Sequence, residues 1–278
     1  MLSDALPNIK LQKKDQSNFI STEFKTIFET FANYDLWLYI AWSDIKARYR
    51  RTVIGPFWLV IANAVTIIGM AIVWSLIFKI DIREYFPRLT ASMICWTFIS
   101  YSITEATTTF TQHYSIISNL PVSIYIFPLR IIMRNLITFL HNFVIFLFVI
   151  LFFKTDINVN CFLFIPMFCL ILINFFFISL YLGLISARFR DIQQIITTIM
   201  SVLILVTPVM WDVNMLGDHQ LLANINPFTH ILNVIKFPLL GTLPSQFSTI
   251  FIVLFTIANL LTMLFMLKKY KCRLAFWV

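Results

Sequence analysis

Residues 42–58 read WSDIKARYRRTVIGPFW and join two stretches of opposite character. The first stretch ends in a cluster of four cations, Lys46, Arg48, Arg50 and Arg51. The second stretch, residues 55–78, is 24 residues without a charge, which is long enough to cross a hydrocarbon core of about 30 Å as a helix. Because Gly55 and Pro56 interrupt a helix between them, the sequence predicts a basic interfacial helix that turns into a first membrane span.

The composition indicates a membrane protein. Of 278 residues, 59% are hydrophobic and 12% are charged, whereas about 25% of the residues of a soluble domain are charged. The net charge of +8 could indicate a nucleic-acid partner. However, the cations cluster beside the apolar runs, as they do when charge sets membrane topology, so we expect a membrane partner and no nucleic acid.

Extending the pattern predicts an all-α, polytopic membrane protein with an N-terminal interfacial amphipathic helix, six transmembrane helices and short helices between spans. The expected parts are a disordered cytoplasmic tail at 1–18, the interfacial segment at 19–54, the spanning domain at 55–267 and a basic cytoplasmic tail at 268–278. The expected spans are 55–78, 89–110, 130–153, most of 157–187, 192–211 and 247–267. Residues 111–127 should form a short cytoplasmic helix and turn, and 212–244 two short re-entrant helices on the outer side, separated by Asn226 and Pro227.

The distribution of charge fixes the expected orientation. In this layout 16 of the 21 Lys and Arg residues lie inside and five lie outside, which places both termini in the cytoplasm by the positive-inside rule. The first 18 residues have no apolar core, so we expect no signal peptide.

The sequence bears on three classes of function. None of the five glycines is followed by lysine, so no phosphate-binding loop of an ATPase can form. A secondary transporter would need ionisable groups at mid-membrane, and Glu105 and His141 are the deepest candidates; we interpret them as an interfacial acid and a helix-packing residue. An enzyme acting on lipid-linked sugars would need converging acids or histidines, but the four histidines are scattered, which argues weakly against that class. We therefore predict no catalytic residue and no metal site, and a secondary flippase or a membrane enzyme remains the alternative.

Two inner turns are candidates for contacts with a partner. One contains Asn119, Leu120 and Pro121, and the other is the sequence Arg188, Phe189, Arg190, Asp191. An exposed aromatic residue on a short turn suits docking into a groove on a partner. A charge that stops translocation would explain the two arginines equally well, but it would not explain Phe189.

Five motifs give the chain a family resemblance. WSDIKARYRRTVIGPFW, the NLP turn, SARFRDI, TPVMW and NPFTHILNVIKFPLLG resemble the permease subunits of ABC-type polysaccharide exporters, most of all the O-antigen exporters. The resemblance implies a homodimer with two copies of an ATP-binding subunit in the bacterial inner membrane. It implies no cofactor in this chain, with ATP and Mg²⁺ bound by the partner, and export of undecaprenyl diphosphate-linked polysaccharide to the periplasm.

The resemblance also implies roles for individual residues. Asn119 to Pro121 and Arg188 to Asp191 would be coupling helices that contact the ATPase, and Asn226, Pro227 and Phe228 would lie at the periplasmic gate. For Arg48, Arg50 and Arg51 two interpretations stay open. They either anchor the interfacial helix to anionic lipid or also attract the diphosphate of the substrate from the inner leaflet, because paired guanidinium groups bind phosphate in a bidentate way.

Overall fold

The computed structural model describes residues 19–50, 54–55, 57–119, 122–155 and 158–277. Within those ranges the chain forms twelve α-helices and no strand, which confirms the predicted all-α class. The helices are α1 Phe19–Ala32, α2 Tyr34–Arg48, α3 Phe57–Phe78, α4 Ile82–Ala106, α5 Tyr114–Asn119, α6 Ile126–Phe153, α7 Phe164–Arg188, α8 Asp191–Val206, α9 Gln220–Ile225, α10 Pro227–Leu239, α11 Gln246–Tyr270 and α12 Leu274–Trp277. The predicted tail at 1–18 lies outside the described residues.

Four helical segments are long and apolar enough to cross a membrane. They are Phe57–Phe78, Ile126–Phe153, Val159–Arg188 and Gln246–Arg273, and they coincide with the first, third, fourth and sixth expected spans. The chain is therefore a membrane protein with several spanning helices.

The second and fifth expected spans correspond to α4 and α8, which do not meet the same standard. The helix α4 has 25 residues but carries charges near both ends. The helix α8 has 16 residues and a length of about 24 Å, and it ends at Val206, before Pro208. A total of six spans therefore remains an expectation.

Burial explains why α4 is more polar than its neighbours. It packs against α3, α6, α7, α8 and α10, so most of its surface contacts protein. Its fully buried residues include Leu89 and Ile99, and with them the polar Thr90 and Ser102. A helix in the centre of a bundle does not need the apolar surface that lipid contact demands.

The predicted interfacial segment consists of two helices rather than one. A break at Asn33 separates α1 from α2. Several large apolar side chains of both helices are exposed, including Phe28, Tyr39 and Trp42. Such a surface suits a segment that lies on the membrane. After α2, Gly55 adopts a φ of +61°, which allows the chain to turn sharply toward α3.

Contacts between the ends of helices define the two ends of the helical bundle. At one of them, called the basic end, the start of α6 and the last turns of α2, α4, α7 and α11 come together. At the opposite end, Tyr85 donates a hydrogen bond of 2.6 Å to the carbonyl of Met210, and Asn160 donates one of 3.2 Å to the carbonyl of Gly241. The short helices α9 and α10 occupy the region where two short re-entrant helices were expected, and they lie at the opposite end as well.

Candidate functional site

A cluster of ionisable side chains at the basic end links three helices. It joins the interfacial helix α2 to the end of α4 and the beginning of α6. We call this cluster the charged junction; it consists of Asp44, Arg48, Glu105, His113, Arg130 and Arg134.

Asp44 forms ion pairs with both arginines of α6. Arg130 Nε donates to Asp44 Oδ2, and Arg134 Nη1 lies 3.6 Å from the same oxygen. The two arginines are four residues apart and therefore share one face of α6. Because α6 begins at Ile126, both lie inside the helix and are buried, at 8% exposure each. They therefore do more than mark the inner end of a span.

Glu105 forms the second half of the junction. Arg134 Nη2 lies 2.7 Å from Glu105 Oε2, and Arg48 Nη2 donates a hydrogen bond of 3.2 Å to Oε1. The partners of Glu105 come from α2 and α6, so the pattern of charges within α4 could not predict them. These contacts place Glu105 in a structural ion-pair network, at the end of α4 rather than at mid-helix.

His113 completes the junction beside Arg130. Its ring stacks on Phe127 with centroids 5.2 Å apart and accepts a hydrogen bond from Arg130. Burial, reinforced by the charge of Arg130, lowers the pKa of His113 to about 4. The imidazole is therefore neutral near pH 7 and acts as an acceptor.

The balance of charge in the junction is positive. Three guanidinium groups and two carboxylates give a net charge of +1 with His113 neutral. The network fixes α2 against the bundle, and only Arg48 is substantially exposed, at 46% of its side chain. Breaking such a partly buried network costs more than breaking a surface pair.

The three arginines predicted to attract the substrate differ in what the structure describes of them. The guanidinium of Arg48 is engaged by Glu105. Arg50 is exposed and forms no ion pair among the described residues. Arg51 lies outside the described part of the chain.

The two predicted coupling turns both lie at the basic end. Asn119 is exposed at the end of α5, while Leu120 and Pro121 lie outside the described residues. In the other turn, Arg188 ends α7 and Asp191 begins α8, with Arg190 at the N-cap position of α8. Phe189 between them has an extended backbone and is 55% exposed. The turn therefore presents an aromatic side chain to its surroundings.

The predicted gate residues lie at the opposite end and have defined contacts. The Asn226 side chain accepts a hydrogen bond of 2.9 Å from the backbone N–H of Phe228, and Pro227 follows as the first residue of α10. This combination of N-cap and proline starts a helix. Asn226 Nδ2 also donates to Thr207 Oγ1 at 2.9 Å, and the Phe228 ring packs edge-on against Trp96. The motif thus joins α10 to the end of α8 and to α4.

A second buried charge was not predicted from the sequence. Glu23 on α1 is 4% exposed and accepts hydrogen bonds from the Tyr125 hydroxyl and from Lys271 Nζ, the latter at 2.6 and 2.9 Å. These contacts tie α1 to the turn before α6 and to the C-terminal segment. Glu23 and Lys271 are 248 residues apart in the chain, so local periodicity could not reveal the pair.

Comparison with known families supports the assignment to a class. The sequence profile described as ABC-2 type transporter matches residues 35–240, from the beginning of α2 to the residue after α10. The chain belongs to the ABC-2 type transporter family. As a permease of this family it is a transport subunit rather than an enzyme, and permeases of this kind work with an ATP-binding subunit.

A curated relative of the permease is the O-antigen export system permease protein RfbA of Myxococcus xanthus. The two are 18% identical over 212 residues, which cover 75% of this chain and 81% of the relative. The family match includes the charged junction, both predicted coupling turns and the Asn226 motif. It does not include α11 or the C-terminal segment.

Proposed function

We propose that this permease is the membrane subunit of an ATP-driven exporter that moves undecaprenyl diphosphate-linked polysaccharide, O-antigen or a related capsule polymer, from the cytoplasm to the periplasm. The observation that carries the proposal is the family match over residues 35–240, together with similarity to a permease named for O-antigen export. The excess of cations at the basic end supports the proposed orientation, in which the protein lies in the bacterial inner membrane with both termini in the cytoplasm.

The proposed assembly contains two permeases and two ATP-binding subunits. The ATP-binding subunits would hold ATP and Mg²⁺, because the glycines of this chain cannot form a phosphate-binding loop. The helix α8 supports a second copy. Its polar residues Gln193, Thr197 and Ser201 are exposed in the single chain, although a membrane-spanning helix should not present such a face to lipid. A second copy of the permease would cover this face and allow it to line a path for a hydrated polymer.

The turn at Phe189 supplies the proposed contact with the ATP-binding subunit. It joins α7 directly to α8, so a force on Phe189 would move both helices. In this proposal, closure of the ATP-binding subunits pushes the turn and changes the path between the two permeases. The Asn226 motif would respond at the far end of α8 through its hydrogen bond to Thr207.

The proposed access route for the substrate begins at the arginines that follow Asp44 in the chain. The guanidinium of Arg48 is already occupied by Glu105, so attraction of a diphosphate falls mainly on Arg50 and Arg51, aided by the net positive charge of the junction. The same cations also anchor the interfacial helices to anionic lipid.

The test is to compare ATP hydrolysis by the purified permease with hydrolysis by the permease co-purified with its ATP-binding subunit. We expect no hydrolysis by the permease alone and hydrolysis by the complex. The matched control replaces the lysine in the phosphate-binding loop of the ATP-binding subunit. This variant should abolish ATP hydrolysis while the two subunits stay associated. Hydrolysis by the isolated permease, or failure of any ATP-binding subunit to associate with it, would refute the proposal.

A further inference from the structure

A cavity of about 430 Å³ opens at the basic end, between the last turns of α7 and α11. Three cations line it, Arg188 from α7 and Lys269 and Arg273 from the C-terminal part of the chain. Three aromatic residues, Phe189, Tyr270 and Trp277, form much of its remaining wall. We call this cavity the cationic pocket.

Among the described residues, the charge of the cationic pocket is uncompensated. None of these residues contributes a carboxylate to its lining, and none forms an ion pair with its three cations. The neighbouring Lys271 behaves differently, because it is neutralised by the buried Glu23. A concave site with three positive charges and no negative charge favours an anion.

Aromatic contacts orient the guanidinium of Arg188. Its central carbon lies 5.3 Å from the centroid of the Phe189 ring and 5.1 Å from that of Trp277. A guanidinium group held over aromatic rings by cation–π contacts still has N–H donors for the oxygens of an anion. Lys269 lies over the Tyr270 ring at 5.2 Å, which likewise fixes its position at the rim.

Helix dipoles and membrane topology explain only part of this arrangement. Cations commonly lie in the last turn of a helix, which accounts for Arg188 in α7 and Lys269 in α11. Arg273 lies beyond α11 and returns to the pocket through the 3-10 turn Lys271–Arg273. Lys268 lies in the last turn of α11 as Lys269 does, but it does not line the pocket. Charge near a helix end therefore does not by itself produce the cavity.

We propose that the cationic pocket binds the phosphate group of an anionic phospholipid. The walls have the two parts that such a ligand requires, cations for the phosphodiester and the apolar side chains of Leu184 and Met266 for the beginning of the acyl chains. The assignment to the inner leaflet rests on the orientation proposed above. Lys269, Arg273 and Trp277 lie beyond the region that matches the family, so the site is argued from this chain alone.

The experiment measures binding of phosphatidylglycerol to the full-length purified permease by native mass spectrometry and by thermal stabilisation in nanodiscs. Phosphatidylcholine nanodiscs provide the reference. We expect phosphatidylglycerol to stabilise the wild type, and a variant with Arg188→Gln, Lys269→Gln and Arg273→Gln to bind it about tenfold more weakly or worse. The control variant removes the same number of exposed cations outside the interfacial helices and the pocket, Arg83→Gln, Lys154→Gln and Lys268→Gln, and should retain the affinity.

A second variant covers the case in which the triple substitution prevents folding. Trp277→Leu leaves the charge of the protein unchanged and removes one of the two aromatic contacts of Arg188. It should therefore weaken phosphatidylglycerol binding severalfold. An unchanged affinity for Trp277→Leu would overturn the proposed geometry of the pocket.

The remaining outcomes separate the sources of phosphate and the kinds of partner. Equal loss of binding in the triple variant and its control would show a general surface effect and overturn the proposal. Stabilisation by inorganic phosphate to the same extent as by lipid would replace the lipid with a soluble anion. Retained lipid affinity with loss of association to the ATP-binding subunit would make the pocket a protein-docking surface. None of these measurements requires transport, so their failure is distinguishable from failure of the proposed function.

Discussion

The carboxylate of Asp44 faces two guanidinium groups in a setting that water reaches poorly, since its own side chain is 20% exposed and those of Arg130 and Arg134 about half as much. In Asp44→Asn the net charge of the junction rises from +1 to +2. Arg134 then keeps Glu105 as its partner, while Arg130 loses its only carboxylate partner among the described residues. We expect a loss of about 2 to 3 kcal/mol of stability, or about 5 to 10 °C in the melting temperature of the purified permease.

The matched control for Asp44→Asn is Glu29→Gln. Glu29 pairs with Lys25 at 3.9 Å on the exposed face of α1. A surface pair of this kind contributes less than about 1 kcal/mol, so this variant should melt near the wild-type temperature. Equal melting temperatures for the two variants would show that the junction does not hold α2 to the bundle.

His113 makes the junction sensitive to pH. Burial and the charge of Arg130 lower its pKa to about 4, below the ordinary value of 6.5. At a pH between these two pKa values, the unfolded chain binds a proton at His113 and the folded chain does not. The free energy of unfolding therefore falls as the pH falls through this window. His113→Gln keeps a neutral acceptor and removes the titration. The melting temperature should therefore decrease less from pH 7 to pH 5 in this variant than in the wild type, and identical decreases would contradict the assignment.

At the scale of single residues, the sequence predicted where the cationic groups lie along the chain but not which residues they contact. Arg130 and Arg134 lie at the beginning of the expected span 130–153, which the predicted orientation places on the inner side, where Lys and Arg accumulate. Their pairing with Asp44 depends on a contact 86 residues away for Arg130. Helical periodicity describes neighbours three and four residues apart and cannot predict such a contact.

Among the helices, α7 makes a close approach that depends on glycine. A Cβ atom on Gly183 would lie 2.9 Å from Thr109 Cβ and 3.0 Å from the Phe110 ring, and both of those residues are completely buried. We expect Gly183→Ala to cost about 1 to 3 kcal/mol in thermal unfolding, despite the better helix propensity of alanine.

Gly69 offers the matched comparison for Gly183. It lies inside α3, another candidate span, and a Cβ atom there would meet no atom within 4 Å. Gly69→Ala should leave stability unchanged or raise it by up to about 1 kcal/mol. If alanine is tolerated equally at both positions, then the end of α7 does not pack tightly against the turn that follows α4.

The turn between α7 and α8 carries the prediction about coupling. Phe189→Ala should preserve membrane insertion and melting temperature, because the side chain is exposed and supports no core. It should reduce the amount of polysaccharide exported per ATP hydrolysed. Phe276→Ala is the control, since Phe276 is also a highly exposed phenylalanine at the basic end, at 88%. An unchanged export ratio for Phe189→Ala would make the turn a topological stop only.

Helix boundaries were predictable where composition changes abruptly along the chain. The uncharged run at 55–78 became α3, and Asn226 with Pro227 separates α9 from α10 as expected. The expected span 89–110 begins seven residues after the start of α4 at Ile82, because residues 82–88 contain three charges. The N-cap at Asp81 and the packing of Tyr85 explain the extra helical turns, and both depend on contacts that hydropathy does not measure.

For the whole molecule, composition was sufficient to predict the class but not the arrangement. An apolar fraction of 59% indicates a polytopic membrane protein. The central position of α4 and the attachment of α1 through Glu23 emerge only when residues distant in sequence are brought together. In our proposal, the exposed polar face of α8 contacts a second copy of the permease.

Transport in inverted inner-membrane vesicles that contain the permease and its ATP-binding subunit tests the central claim most directly. The measured quantity is the amount of lipid-linked polysaccharide that becomes protected in the vesicle lumen, with ATP or without it, and with the proton gradient intact or collapsed. Our account predicts that protection requires ATP and survives collapse of the gradient. Protection that persists without ATP and disappears with the gradient would contradict it and identify a secondary flippase.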